Sequence, residues 1–272
     1  MIKRTITGIL MTAALIVLIA LGGYPFALVA LFVIGLSARE EFMALTSVGH
    51  HPVKWPTWAG LAGLSASIPF LRAGSFKVFI PFSLLVCVIT FAAILFRAKP
   101  KFDEVLLSVT PFLTVVLPGL YLVYIVTIQP KAMQVTLHTL IFSISILGDT
   151  FAYFIGSSVG KRPLCPEVSP SKTIEGAAGG LAGSVIGAMV TGIIARSAAS
   201  GSIPFTYIDF LLIGVIGGMA SQVGDLFASL LKRHCQIKDF SGIFPGHGGM
   251  MDRMDSILFV TMVVFGYLIL LK

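Results

Sequence analysis

The 272-residue chain is 56% hydrophobic and only 11% charged, with 19 lysines and arginines against 12 acidic residues and a net charge of +7. Ordinary soluble domains carry about 25% charged residues, so the composition excludes that class and indicates an all-α, polytopic membrane helix bundle. The three cysteines are odd in number and lack metal-ligand spacing, which favours free thiols over a disulfide framework.

Long apolar runs predict about nine transmembrane helices, because a helix needs about 20 apolar residues to cross a bilayer. Proline and glycine separate the runs. The predicted helices cover residues 5–22, 24–45, 56–72, 76–97, 105–127, 134–159, 176–196, 206–232 and 250–271. We expect one integral-membrane domain, residues 1–272, in which 1–130 form a mostly apolar scaffold and 131–272 carry the active-site helices and cytoplasmic loops.

The N-terminal segment allows one alternative, because residues 1–23 place Lys3 and Arg4 before an apolar run, as a cleaved signal peptide does. Residues 24–36 are apolar as well, which favours a hairpin of two membrane helices. We therefore interpret the segment as the first helix.

Basic residues in the connections predict the orientation, since lysine and arginine accumulate on the cytoplasmic side. If the N-terminus is cytoplasmic, 14 of the 19 basic residues fall on the inside. The outside residues are Arg72, Lys77, Lys131, Arg196 and Lys272. The distribution predicts a cytoplasmic N-terminus and an external C-terminus.

Three charged residues, Arg39, Glu40 and Glu41, lie near the inner end of the second predicted helix. Charges at the end of a membrane helix commonly lie at the lipid–water interface. We expect these residues to anchor the helix there rather than to act in catalysis.

Polar residues are concentrated after residue 140. In the sixth predicted helix they recur at spacings of three or four, which places them on one face. They are Ser145, Asp149, Tyr153, Gly156 and Gly160. The eighth helix has a similar stripe formed by Ser221, Asp225, Ser229 and Lys232.

The connection between the sixth and seventh helices carries Lys161 and Arg162, followed by SPSKTIEG at residues 169–176. Hydroxyls, a lysine and flexible backbone at a helix N-terminus favour anion binding, because free N–H groups and the helix dipole attract phosphate. The segment lacks the Walker pattern, and Thr173 with Glu175 could instead cap the helix. Both interpretations stay open from the sequence.

Four aspartates fall within or at the ends of predicted helices: Asp149, Asp225, Asp252 and Asp255. Each costs about 2.5 to 3.5 kcal/mol at mid-membrane, so they must be neutralised or hydrated. Ion pairs with Lys232 or Arg253 are one solution. Three carboxylates on successive helices joined by a Gly-rich loop favour a divalent cation, and oxygen ligands suit Mg²⁺ or Mn²⁺.

Cations are also concentrated on the predicted inner face, a pattern that suits phosphoryl or nucleotidyl transfer because cations neutralise a polyphosphate. They are Lys161, Arg162, Lys172, Lys232, Arg233, Lys238 and Arg253. His247, between glycines, is expected to hydrogen-bond a phosphate rather than to bind Mg²⁺. The apolar helices beside this face indicate that one substrate is a lipid.

Residues 229–255, SLLKRHCQIKDFSGIFPGHGGMMDRMD, closely resemble the signature of the phosphatidate cytidylyltransferases, or CDP-diacylglycerol synthases. Lys-Asp at 238–239, His-Gly-Gly at 247–249 and Asp-Arg-x-Asp at 252–255 are in register with it. Residues 148–161 and 169–176 resemble the family's other shared blocks. The resemblance is strong over roughly residues 140–260 and only architectural before them.

The resemblance implies a bacterial inner-membrane enzyme, often a homodimer, whose active site faces the cytoplasm. Such an enzyme converts CTP and phosphatidic acid into CDP-diacylglycerol and pyrophosphate and does not bind nucleic acid. The implied cofactor is Mg²⁺, with Mn²⁺ as an alternative and a monovalent cation such as K⁺ as an addition.

Site residues follow by position in the matching motifs. The catalytic set is Lys172, Asp225, Lys232, Arg233, Lys238, Asp239, His247, Asp252 and Arg253. Substrate phosphates are expected at Lys161, Ser169, Ser171, Lys172, Thr173, Gly176, Gly248 and Gly249. The metal is assigned to Asp225, Asp252 and Asp255. Asp149, Tyr153, Glu175 and Ser229 are expected to support these groups.

Two other functions compete with this interpretation. Acidic residues in membrane helices also occur in ion or lipid transporters, but transporters tend to have repeated halves with broken helices, and no convincing repeat is present. A CTP-dependent polyprenol kinase or an archaeal-type CDP-lipid synthase would keep the chemistry and change the lipid. Pyrophosphate release from CTP excludes the transporter, and the lipid product distinguishes the enzymes.

Overall fold

The computed structural model describes residues 2–70, 78–198, 203–244 and 248–270, and these residues are mostly helical. The helices are α1 Ile2–Leu21, α2 Gly23–Ser47, α3 Trp55–Ser67, α4 Phe79–Leu95, α5 Phe102–Pro111, α6 Leu117–Tyr124, α7 Lys131–Val159, α8 Ile174–Ala198, α9 Tyr207–His234 and α10 Met251–Leu270. The strands are β1 Pro163–Cys165 and β2 Ser169–Thr173. Each of the predicted helical regions corresponds to a helix or, for 105–127, to a run of helical turns.

Five helical segments within the described residues are long and apolar enough to span a membrane. They are Phe102–Thr127, Lys131–Val159, Ile174–Ala198, Tyr207–His234 and Met251–Leu270. Leu10–Leu21 and Phe79–Leu95 are shorter apolar helices. The protein is therefore a polytopic integral membrane protein, and the number of nine spans stays a prediction.

A short antiparallel hairpin connects α7 to α8. In it, β1 pairs with β2 through Pro163 opposite Thr173 and Cys165 opposite Ser169. The all-α prediction omits this hairpin, because two strands of this length, with prolines in the sequence, give no alternating hydrophobic pattern. The hairpin matters because its second strand brings Lys172 to the N-terminus of α8.

The described chain forms two compact units. The first contains Met1–Ile128 and His234–Arg253, and the second contains Gln129–Arg233 and Met254–Lys272. The first boundary lies close to residue 130, where the sequence changes from apolar scaffold to polar stripes. The segment 234–253 belongs to the first unit, although it follows helices of the second unit in the sequence.

Close helix packing defines the second unit. A Cβ atom at Gly183 would lie 2.5 Å from the carbonyl oxygen of Leu147, so only glycine allows α8 to approach α7 this closely. A Cβ atom at Gly218 would lie 2.7 Å from Cβ of Ser184, so α9 packs equally closely on α8. Small residues at helix contacts are typical of membrane proteins, where close backbone packing stabilises the bundle.

Candidate active site

A cavity of about 480 Å³ lies within the second unit, between α7, β2, α8 and α9. Its lining includes most of the polar positions predicted on these elements. The predicted residues that line it are Asp149, Tyr153, Gly156, Ser171, Lys172, Thr173, Gly176, Ser221 and Asp225. The structure thus brings together residues that are up to 76 positions apart in the sequence.

An ion pair joins Lys172, at the end of β2, to Asp225 in α9. The two side chains are 26% and 33% exposed, so the pair is reachable from the cavity. Sequence reasoning offered Lys232 or Arg253 as a neutralising partner for an aspartate. Asp225 is paired instead with Lys172, which was not among the predicted partners, because the hairpin places that lysine against α9.

Thr173 and Glu175 hold the hairpin and α8 together. The Thr173 hydroxyl accepts a hydrogen bond from the Gly176 N–H at 3.1 Å, which is N-capping of α8. Glu175 Oε2 accepts hydrogen bonds from the N–H groups of Lys161 and Arg162, at 3.0 and 3.2 Å. The capping interpretation is therefore confirmed for Thr173, whereas Glu175 instead fixes the turn that carries the two cations.

Two cavity residues on α9 complete this site. Gln222, which sequence reasoning missed, donates from Nε2 to the Ala177 carbonyl at 2.9 Å and so ties α9 to α8. Ser221 Oγ is buried and has no hydrogen-bond partner among the described residues. A buried hydroxyl without a partner is costly, so it suits a ligand oxygen, a water molecule or a cation in the cavity. Gln222 lay outside the predicted stripe by one position, which hid it.

Asp255 lies one turn into α10 and is 7% exposed. Its Oδ1 accepts a hydrogen bond from the Ser256 N–H at 2.7 Å. The charges of Asp225, Asp149 and Lys232 act on this carboxyl group. Asp225 and Asp255 therefore both belong to the second unit, and their assignment to a metal stays a prediction.

The Gly-rich loop before α10, of which the structure describes residues 240–244 and 248–250, lies in the first unit, and Asp252 holds both described parts. Asp252 Oδ2 accepts hydrogen bonds from the N–H groups of Phe240 and Gly249, both at 2.9 Å. Gly248 has a φ of 78°, a conformation that glycine adopts readily. A Cβ atom at Gly248 would also lie 2.8 Å from Asp252 Oδ2. Gly248 and Gly249 therefore allow the loop to pack closely against the Asp252 carboxylate.

Glu40, from α2, holds the same loop. It is 3% exposed, and its carboxylate accepts hydrogen bonds from Ser241 Oγ at 2.6 Å, Met250 N at 3.1 Å and Met251 N at 2.8 Å. The prediction of interfacial anchoring is wrong for Glu40 and also for Glu41, which is fully buried and accepts a hydrogen bond from Thr114. Two adjacent acids in an apolar helix were the only signal available.

The remaining predicted residues occupy different positions. Lys238, Asp239 and Arg253 are exposed in the first unit. In the second unit, Arg233 donates from Nε to the Val168 carbonyl at 3.2 Å, and this contact ties the end of α9 to the hairpin turn. Ser169 and Ser229 are buried, at 9% and 8% exposure, and Lys232 is half-buried. His247 lies outside the described residues.

The described residues contain no preformed cluster of metal-ligating side chains. Across residues 2–70, 78–198, 203–244 and 248–270, no group of three histidine, cysteine or acidic side chains is arranged to hold a metal ion. The assignment of a divalent cation to Asp225, Asp252 and Asp255 therefore stays a prediction.

The helices and the cavity define an integral membrane protein in which a partly exposed lysine–carboxylate pair lines a cavity. The chain belongs to the cytidylyltransferase family, whose pattern matches residues 2–271. It is therefore a nucleotidyltransferase. The resemblance noted in the sequence is confirmed, and it extends over the whole chain.

Individual relatives agree with this assignment. The chain is 32% identical to a phosphatidate cytidylyltransferase of Bacillus subtilis over 271 residues, which cover 95% of this chain and 94% of the relative. It is 38% identical to a phosphatidate cytidylyltransferase of Aquifex aeolicus over 150 residues, 54% of this chain and 52% of the relative. The corresponding protein of Thermotoga maritima is 34% identical over 170 residues, 62% and 59% of the two chains.

Proposed function

We propose that this protein transfers the cytidylyl group of CTP to phosphatidic acid and forms CDP-diacylglycerol and pyrophosphate. The observation that carries the proposal is the cavity with the Lys172–Asp225 pair, in a chain of the cytidylyltransferase family. The full-length similarity to the Bacillus subtilis protein supports phosphatidate as the acceptor.

The proposed reaction requires no covalent intermediate with the protein. A phosphate oxygen of phosphatidic acid attacks the α-phosphorus of CTP, the new O–P bond forms, and the bond to the β-phosphate oxygen breaks as pyrophosphate leaves. The attacking oxygen is already ionised at neutral pH, so no strong general base is needed. Alignment and neutralisation of the phosphate charges therefore provide most of the rate enhancement.

Lys172 is the residue we assign to a substrate phosphate in the cavity. Its ammonium group pairs with Asp225, and a substrate phosphate of higher charge would compete for the same group. The Thr173 hydroxyl and the capped N-terminus of α8 lie next to it along the chain. Lys161 and Arg162, held by Glu175, supply further positive charge at the exposed edge.

We propose Mg²⁺, or Mn²⁺ in its place, because the predicted residues are of the oxygen-ligand type that these ions prefer. Asp225, the buried Asp255 and the unpartnered hydroxyl of Ser221 offer oxygen ligands, and Mg²⁺ usually completes its coordination with waters and substrate phosphates. When bound, the ion would neutralise charge on the triphosphate. Asp252 is assigned to the same ion by its motif alone, and a monovalent cation such as K⁺ is part of the same proposal.

We also propose the predicted topology: nine spans, a cytoplasmic N-terminus, an external C-terminus and an active site that faces the cytoplasm of a bacterial inner membrane. The basic residues support this orientation, since 14 of 19 fall on one side. CTP would then enter from the cytosol, and the lipid headgroup would enter from the inner leaflet. A homodimer is proposed from the family resemblance.

Incubation of detergent-purified protein with labelled CTP, phosphatidic acid and Mg²⁺ tests the function. We expect a labelled liponucleotide and an equal amount of pyrophosphate. Parallel reactions replace phosphatidic acid with diacylglycerol or a polyprenol, and Asp225→Asn protein serves as the inactive control. A labelled product with polyprenol but not with phosphatidic acid would overturn the assigned acceptor, and absence of CTP turnover would overturn the whole proposal.

A further inference from the structure

The Glu40 carboxylate links two distant parts of the Gly-rich loop. Ser241 lies near the start of the loop and Met250 and Met251 lie at its end, yet all three donate to this one side chain from α2. Glu40 is 201 to 211 residues away from them in sequence. The side chain is buried, and these three donors satisfy its oxygens.

The absence of a side chain at Gly249 leaves room for this carboxylate. A Cβ atom on Gly249 would lie 2.6 Å from Glu40 Oε2 and 2.9 Å from its Cδ, distances at which atoms overlap. Gly242, in the same loop, has no atom within 4 Å of the corresponding position. The close backbone approach at Gly249 is therefore specific to its contact with Glu40, because Gly242 in the same loop has no such neighbour.

The same contact acts on the start of α10. The first N–H groups of a helix have no partner inside the helix, and a carboxylate there is favoured by the helix dipole. Glu40 satisfies the N–H of Met251, the first residue of α10. Asp252 is the next residue, and it holds Phe240 and Gly249. The two carboxylates together hold the loop at both ends.

We propose that Glu40 is a positioning residue for catalysis: its carboxylate sets the conformation of the Gly-rich loop and thereby the position of Asp252. The proposal rests on the proposed function, in which Asp252 contributes to the reaction. In this proposal Glu40 acts through the loop rather than on the substrate. Its effect is on the geometry of the loop, and a misplacement of about 1 Å in a catalytic group can lower the rate by about 100-fold.

The variant Glu40→Gln tests this, because it preserves size and removes charge. All three groups that face Glu40 are donors, whereas a glutamine amide has one acceptor oxygen and one NH₂ donor. The NH₂ group introduced by Glu40→Gln would therefore face at least one of these three donors, and that donor would lose its acceptor. The matched control is Glu41→Gln, the same change at the next buried position, where the contact is to Thr114 and not to the loop.

The measurements are steady-state kinetics, hydrogen–deuterium exchange of peptides from residues 248–253, and thermal stability in detergent. We expect Glu40→Gln to lower kcat by about 10- to 100-fold with KM for phosphatidic acid within about twofold. Exchange at Met250 and Met251 should become faster, while Glu41→Gln changes neither quantity. Equal thermal stability of the two variants would show that the loss is local.

Three results would overturn the inference: a normal kcat in Glu40→Gln, an equal loss in Glu41→Gln, or a loss of kcat without faster exchange in the loop. The exchange measurement also separates this inference from the proposed function. If the wild-type protein does not convert CTP and phosphatidic acid, the proposed function fails. Faster exchange confined to Glu40→Gln would still support control of the loop by Glu40.

Discussion

Replacement of Lys172 by methionine tests the central contact of the cavity, because methionine keeps most of the side-chain length and removes the charge. Two unit charges about 4 Å apart interact by about 4 kcal/mol at an effective dielectric constant of 20. The Lys172 and Asp225 side chains are 26% and 33% exposed. Solvent screening and desolvation therefore reduce the net contribution to stability to about 1 kcal/mol.

The effect on catalysis should exceed the effect on stability. A hydrogen bond from an ammonium group to a phosphate contributes about 1.5 to 3 kcal/mol, and each 1.4 kcal/mol corresponds to about tenfold. We therefore expect kcat/KM of Lys172→Met to fall by about 10- to 100-fold. The assay is steady-state kinetics with CTP and phosphatidic acid varied separately. Lys131→Met, the same change at an exposed lysine, is the control.

The double variant Lys172→Met with Asp225→Asn distinguishes a structural ion pair from a substrate contact. If the lysine only neutralises Asp225, removal of both charges should restore activity. If both residues contact substrate or cation, the double variant should be no more active than either single variant. Recovery of kcat/KM in the double variant, or unchanged KM values for both substrates in Lys172→Met, would refute the phosphate role of Lys172.

Three further predictions concern the carboxylates, the cation and the loop. Asp225→Asn and Asp252→Asn should each abolish turnover while the protein elutes as the wild type in gel filtration, and near-normal activity in either would remove that residue from the cation site. Removal of divalent cations with EDTA should stop product formation, and Mg²⁺ should restore it; persistence of activity would contradict the metal. Gly249→Ala should lower thermal stability and activity because its Cβ atom would meet Glu40, whereas Gly242→Ala should behave as the wild type.

The sequence predicts the fold and the site to different extents. The prediction of a helix at 206–232 is close to the observed Tyr207–His234, because an apolar run of this length fixes its own secondary structure locally. The hairpin at β1 and β2 was missed, since its strands are stabilised by each other and not by a pattern within either one. Helical spacing placed Asp149 and Tyr153 on one face of α7, and both line the cavity, whereas their roles in the reaction stay predictions.

The amino-acid sequence by itself determined the membrane class, the helical segments, the family and the polar faces, because hydropathy and helical periodicity act over a few turns of one chain. Only the tertiary structure decided the partners: Lys172 for Asp225, and the backbone of Met250 and Met251 for Glu40. Charges in an apolar protein must find a compensating group in three dimensions. That group is chosen by packing between distant segments, which local sequence patterns do not encode.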